Sequence, residues 1–260
     1  MRTNLFLSML IFGSLFFFSC SEKKNNDANE NLKDNKIISD SSMEIVYSEE
    51  IIDFLEMEGV NFELPLKIDS LFLNGAGESA SGIELKTKDV KILAKNILEH
   101  EINQNAQWGL DCFYLVDSLK INKLYEKYLA TIDIGMVKYG DAYFLGKLEI
   151  NRNTMLLIWM TNFSSYEACP FFAGLQIFGT LVYNGNISNS TLLAEQMAAG
   201  DAPVGMHRLV YCSIESSGTG TYYNYQEETD EDENYELVEK VSEKEFDLII
   251  ENGNLKISGN

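Results

Sequence analysis

Histidine, motif-forming cysteine and positive charge are all sparse in this chain, and each shortage removes a class of function. The histidines are His100 and His207, and neither stands in HExxH or a comparable frame. The four cysteines show no CxxC and no Cys/His ligand spacing, so structural zinc is not indicated. P-loop, GxGxxG and GxSxG sequences are missing too, and no cofactor is implied. Against 40 acidic residues stand 20 basic ones, a formal charge of −20. Nucleic acid is excluded as a partner, because phosphate binding needs basic patches. Attraction to anionic lipid headgroups is excluded on the same ground. A cationic protein, a neutral glycan or a divalent cation stays compatible with this charge. The chain shows no fixed-period repeat.

What is present begins with the leader. One basic side chain, Arg2, precedes the apolar run Leu5 to Phe18, LFLSMLIFGSLFFF. A membrane span needs about 20 apolar residues, so this run suits the core of a secretory signal instead. Small Ser19 then precedes Cys20, and the chain turns polar at once in SEKKNND. The arrangement resembles the lipobox of bacterial lipoprotein precursors. Phe17 and Phe18 stand where the common pattern has Leu and a small residue, a departure tolerated in Bacteroidetes-type lipoproteins. The resemblance implies a signal peptide over 1–19, cleavage before Cys20 and acylation of its thiol. It further implies export and anchorage in a bilayer through Cys20, at the outer membrane, on its periplasmic or surface face. Two or three acyl chains, at about 0.8 kcal/mol per buried methylene, hold far better than one.

Residues 20–42 form a flexible tether in this reading, since large apolar groups are nearly missing from it. As a coil it would span roughly 25 Å. Residues 43–260 are then one globular domain, α+β over 43–131 and β-rich over 132–260.

Ser48 to Gly59 has an N-cap residue, early acids and a closing glycine, the marks of a short helix. Val60, Phe62, Leu64, Leu66 and Ile68 alternate as one strand, with Pro65 on its other face suggesting an edge. NGAGESASG, 74–82, reads as a loop. Thr87 caps a helix carrying Val90, Leu93, Ala94 and Ile97. WGLDCFYLVD, 108–117, reads as a strand, and 117–130 as an amphipathic helix on Ile121, Leu124, Tyr125, Tyr128 and Leu129. Beyond Asp133, short β-branched and aromatic runs are punctuated by Gly, Asn and Asp, and Asn252-Gly253 is the strongest hairpin signal. LLAEQMA, 192–198, is the one helical segment expected there. The fold class is α+β: N-terminal helices and strands, then an antiparallel β meander packed as a sandwich or curved sheet.

Several constellations bear on function. Asp230, Asp232, Asn234 and Glu236 alternate like the start of a calcium loop, but Tyr235 and Val241 stand where Gly and Glu are needed. A solvated acidic hairpin tip is the expectation, and no metal is assigned. An exported chain with Cys112, Cys169 and Cys212 allows one disulfide among three pairings, Cys169–Cys212 being favoured because both lie in the strand-rich half. Three buried thiols are the alternative. A nucleophile at Cys169 would need His207 or His100 within hydrogen-bond reach. Trp108 and Trp159, inside apolar runs, read as core.

SSGTGTYYNY, 216–225, is similar to the SG-x-G-x-Y loop of membrane-bound lysozyme inhibitors, which are also small β-rich lipoproteins. The resemblance covers Ser217, Gly218, Gly220 and Tyr222 and makes them a candidate partner loop; a Gly/Ser/Thr hairpin turn is the alternative. Asp69-Ser70-Leu71 and Asp117-Ser118-Leu119 look like the Bacteroidetes O-glycosylation acceptor, which makes Ser70 and Ser118 candidates, although Ser118 also suits a helix cap. Together these features lead to the expectation of a non-enzymatic envelope lipoprotein that acts as a binding or interaction module. An inhibitor or immunity protein for a basic lysozyme or toxin is one alternative, and an envelope hydrolase is another.

Overall fold

In a computed structural model the described residues are 45–78, 82–131, 137–165, 171–201, 204–232, 234 and 236–259. Of the described residues about 55% are strand and 25% helix, so this part is mainly β with a few helices. The N-terminal part contains helix α1 (Glu49–Glu56), strands β1 (Val60–Phe62) and β2 (Leu66–Ile68), helix α2 (Ser70–Glu78) and strand β3 (Ile83–Glu84). Helix α3 (Thr87–Leu93), a 3₁₀ turn (Glu101–Asn103) and helices α4 (Ala106–Ile121) and α5 (Tyr125–Thr131) follow. Eight longer strands then run as an antiparallel meander: β4 (Lys138–Asn151), β5 (Thr154–Ser165), β6 (Phe171–Tyr183), β7 (Asn186–Asp201), β8 (Val204–Ile214), β9 (Thr219–Glu231), β10 (Leu237–Glu251) and β11 (Asn254–Gly259).

The three short strands join this sheet at separate places. β1 lies parallel to β4, and β3 runs antiparallel to it. β2 pairs with Cys212–Ile214 of β8, whereas β7 pairs with β8 only from Val204 to Val210. The sheet therefore forks: β8 exchanges β7 for β2 along its length. Ser188 Oγ donates to the Gly253 carbonyl, so the diverging start of β7 reaches the β10–β11 turn. One hydrophobic core includes Trp159 and Phe178, stacked at 4.3 Å, together with Val210, Tyr222, Phe246 and Leu248.

The inner face of the sheet holds the segment that follows α3. Thr180 Oγ1 and Ser190 Oγ both donate to the Leu93 carbonyl, at 2.6 and 2.5 Å, and Asn103 Oδ1 accepts from Leu192 N at 2.7 Å. Arg208 Nη2 reaches the carbonyls of Glu101 and Ile102, and His100 packs edge-on against Phe246 at 5.1 Å. Strands from β6 to β10 thus share one inserted segment, whose backbone acceptors would otherwise be buried without partners.

Several sequence expectations are corrected here. Residues 108–117 are helical, because Ala106, Gly109, Leu110, Phe113 and Val116 are buried at helical spacing and α4 packs on β4 and β5. The close approach shows at Gly140, where an added Cβ would lie 2.5 Å from Phe113 N. The amphipathic helix over 117–130 is broken between α4 and α5, with Lys123 at φ 57°. The expected strand 60–69 is two strands on different partners, divided around Pro65. The loop at 74–82 is helical up to Glu78. LLAEQMA lies in β7, where pairing with β6 and β8 on both sides overrides local preference. Thr87 is the first residue of α3 and Lys86 its cap residue.

Candidate functional site: an open groove across the sheet

Period two sorts the strands into an inner and an outer face. The outer face carries two lateral rows fixed by register. One runs Tyr139, Ser164, Ala173, Ala198, His207 and Glu227; the next runs Asp141, Asn162, Leu175, Gln196, Leu209 and Tyr225. The small side chains of Ala173 and Ala198 leave the middle of the first row low, between Tyr139 and His207. A groove of about 480 Å³ results, lined also by Asp141, Asn162, Ser164 and Gln196. Helix α2 approaches at Leu175, where an added Cβ on Gly77 would lie 3.2 Å from the leucine side chain.

The chemistry of this groove is polar and largely neutral. Tyr139 is 46% exposed. Asn162, Ser164 and Gln196 offer amides and a hydroxyl on rigid strands. The single carboxylate among the lining residues, Asp141, accepts from Lys120 Nζ at 2.8 Å. Burial pulls the Lys120 ammonium down, but the Asp141 hydrogen bond and charge, with Glu84, more than restore it and hold it above the usual lysine range. Burial, then the charges of Asp141 and Glu84, likewise push the Tyr143 phenol up. Two free carboxylates facing each other are not found among the lining residues.

Directly behind the groove lies a buried polar network. Arg208 Nη1 donates to Glu195 Oε2 at 2.6 Å with both side chains fully buried. Gln176 Nε2 donates to Glu195 Oε1 at 2.7 Å and to the Asn105 carbonyl at 2.8 Å, and Arg208 Nε to Asn224 Oδ1 at 3.2 Å. Burial raises the Glu195 carboxyl, against the lowering effect of Arg208 and Gln176. These groups bind the protein's own backbone and offer nothing to solvent.

The residues singled out from sequence fall in scattered places. Cys20 and Cys169 lie outside the described residues. Cys212 is a free, buried thiol on the inner face, its Sγ donating toward the Ser213 carbonyl at 3.6 Å, and burial pushes its pKa up. The favoured Cys169–Cys212 pairing is therefore not formed, and Cys212 behaves as a small apolar side chain. His207 stands on the outer face of the same strand, and the Cys169 nucleophile considered with it from sequence lies outside the described residues. His100 Nδ1 accepts from Ile102 N at 3.2 Å.

Within the candidate partner loop, Ser217 is exposed at the β8–β9 turn, where Gly218 takes φ 79°. Tyr222 is fully buried and donates to the Leu192 carbonyl at 2.9 Å, so its ring is core and not a partner contact. Gly220 abuts the Ser213 carbonyl, which leaves no room for a side chain. The hairpin-turn alternative accounts for Ser217 and Gly218, while Gly220 and Tyr222 belong to strand β9, paired with β8 and β10. Ser70 and Ser118 are both exposed. Asp69 Oδ1 accepts from Leu71 N and Phe72 N at the start of α2. Ser118 sits near the end of α4 rather than at a cap, beside a buried Asp117 that accepts from Thr87 N and Oγ1.

The acidic stretch at 229–236 does form the β9–β10 tip, where Asp232 accepts from Asn234 N and Glu236 N. Trp159 is fully buried, and Trp108 is half-buried against Phe172. The groove residues escaped sequence reading because alternation shows which side chains point outward, but only register shows which of them meet. No family model, no curated protein and no solved structure matches this chain.

Proposed function

We propose that this chain is a non-enzymatic binding module of an envelope lipoprotein, held to the bilayer through acylated Cys20, and that the outer-face groove is its binding site for a neutral glycan. The supporting observation is the lining itself: a half-exposed tyrosine ring beside amides and a hydroxyl, with the one carboxylate already ion-paired. Sugar rings present apolar faces and many hydroxyls, which an aromatic ring and planar amides match. The shallow form of the groove and the single engaged carboxylate fit binding better than hydrolysis, which needs two carboxyl groups across the scissile bond.

Calorimetric titration with neutral oligosaccharides tests this reading. Tyr139→Ala and Gln196→Ala should each weaken binding about three- to tenfold, the worth of one aromatic contact or hydrogen bond, without lowering Tm. Cleavage of the ligand during the titration, or affinity indifferent to both substitutions, would overturn it.

A further inference from the structure

The groove does not exhaust the binding surface of the sheet. β11 pairs with β10 only over Phe246–Glu251, and among the described residues no strand pairs the outer side of Leu237–Glu245. Those nine residues keep an unbroken ladder with β9 on their inner side, without a register shift. At about 3.4 Å per residue they offer some 30 Å of edge, along which about half the N–H and C=O groups point outward. Natural edges are shortened, bulged, broken by proline or guarded by charge, and this one keeps its length and ladder and carries charge alone, at Glu239, Lys240, Glu243, Lys244 and Glu245. Leu237 and Val241, 57% and 58% exposed, stand on the same face.

Charge on the two faces of the hairpin differs. The register places Glu227, Glu231, Glu239, Glu243 and Glu245 on the outer face with Tyr223 and Tyr225, and no cationic side chain among them. Tyr225 donates to Glu227 at 2.7 Å, and its phenol is raised by that bond. On the opposite face Lys240 lies across from Glu228, and Lys244 pairs with Glu101 at 2.7 Å. Carboxylates interleaved with tyrosine rings suit Lys and Arg, through charge and through the ring faces. A second copy of this chain is a poor occupant, since antiparallel self-pairing about Val241 would set Glu239 against Glu243.

We propose that the outer edge of β10, Leu237 to Glu245, takes up an extended segment of a partner protein as an added strand, and that the segment carries Lys or Arg at alternate positions. Backbone hydrogen bonds supply the affinity, and the outer-face carboxylates select the basic alternation, as in other strand additions. This surface is separate from the glycan groove and does not depend on it.

The test uses the full chain and three synthetic peptides of about ten residues: an alternating Lys/Val peptide, the same peptide N-methylated at alternate amides, and its Glu/Val counterpart. Fluorescence polarisation at about 0.15 M salt should show binding of the first alone. Glu239→Lys with Glu243→Lys, both exposed, should weaken it at least about tenfold. Hydrogen exchange should slow across 237–245 when the peptide binds, and Tyr139→Ala should leave the affinity unchanged. Equal binding of the N-methylated peptide would reduce the effect to charge attraction and overturn the proposal. Dimerisation of the chain through β10 in place of peptide uptake would overturn it too.

Discussion

Arg208 shows how much one buried side chain organises. Its guanidinium holds Glu195, Asn224 and two backbone carbonyls of the inserted segment. Replacing Arg208 with Met leaves the Glu195 carboxylate buried without its cation, an arrangement that costs about 3–5 kcal/mol. The sign of the pH dependence follows from linkage. The folded Glu195 carboxyl lies above its unfolded value, so between those values the folded chain binds more protons, and stability falls as pH rises through the window. With the guanidinium gone the window widens upward. Arg208→Met should therefore lose more Tm relative to the parent at pH 8 than at pH 5, and thermal melts across that range check it. A deficit constant with pH would mean that Glu195 is not the group left exposed to the loss.

At the scale of elements, the β10–β11 turn gives the sharpest dependence on a single position. Asn252 and Gly253 take φ 49° and 76°, and a Cβ on Gly253 would lie 2.4 Å from the Tyr183 ring. Gly253→Val should lower stability by at least about 1–2 kcal/mol for backbone strain alone, read as a Tm fall of roughly 2–8 °C. This hairpin was legible in the sequence because its signal is local: two residues whose chemistry permits positive φ. Helix α4 was not. WGLDCFYLVD is rich in aromatic and branched residues that suit a strand, and its burial at helical spacing emerges only once Ala106 and Gly109 are counted in. LLAEQMA failed in the opposite direction, good helix formers drawn into β7 by neighbours on both sides. The groove and the β10 edge were illegible for a related reason. Both are made by side-by-side strands, and lateral register is set by contacts between residues far apart in the chain.

The whole molecule carries a charge of −20 on a sheet whose exposed edge and outer face are its binding surfaces in our proposals. The proposed anchor predicts that the chain stays in the membrane fraction through a high-salt wash and leaves only with detergent. Cys20→Ala should become soluble and lose palmitate label, while the folded part keeps its Tm; unchanged fractionation and labelling would sink the anchor. The fork in the sheet has a consequence in time. Leu66 meets Ile214, 148 positions later, so β2 has no partner until β8 has been made. At about 5–20 residues per second, synthesis leaves the apolar side chains of Leu66 and Ile68 waiting on the order of ten seconds or more. A chain with this topology is exposed to proteases and to its neighbours for that interval, and a binding chaperone has that interval to act.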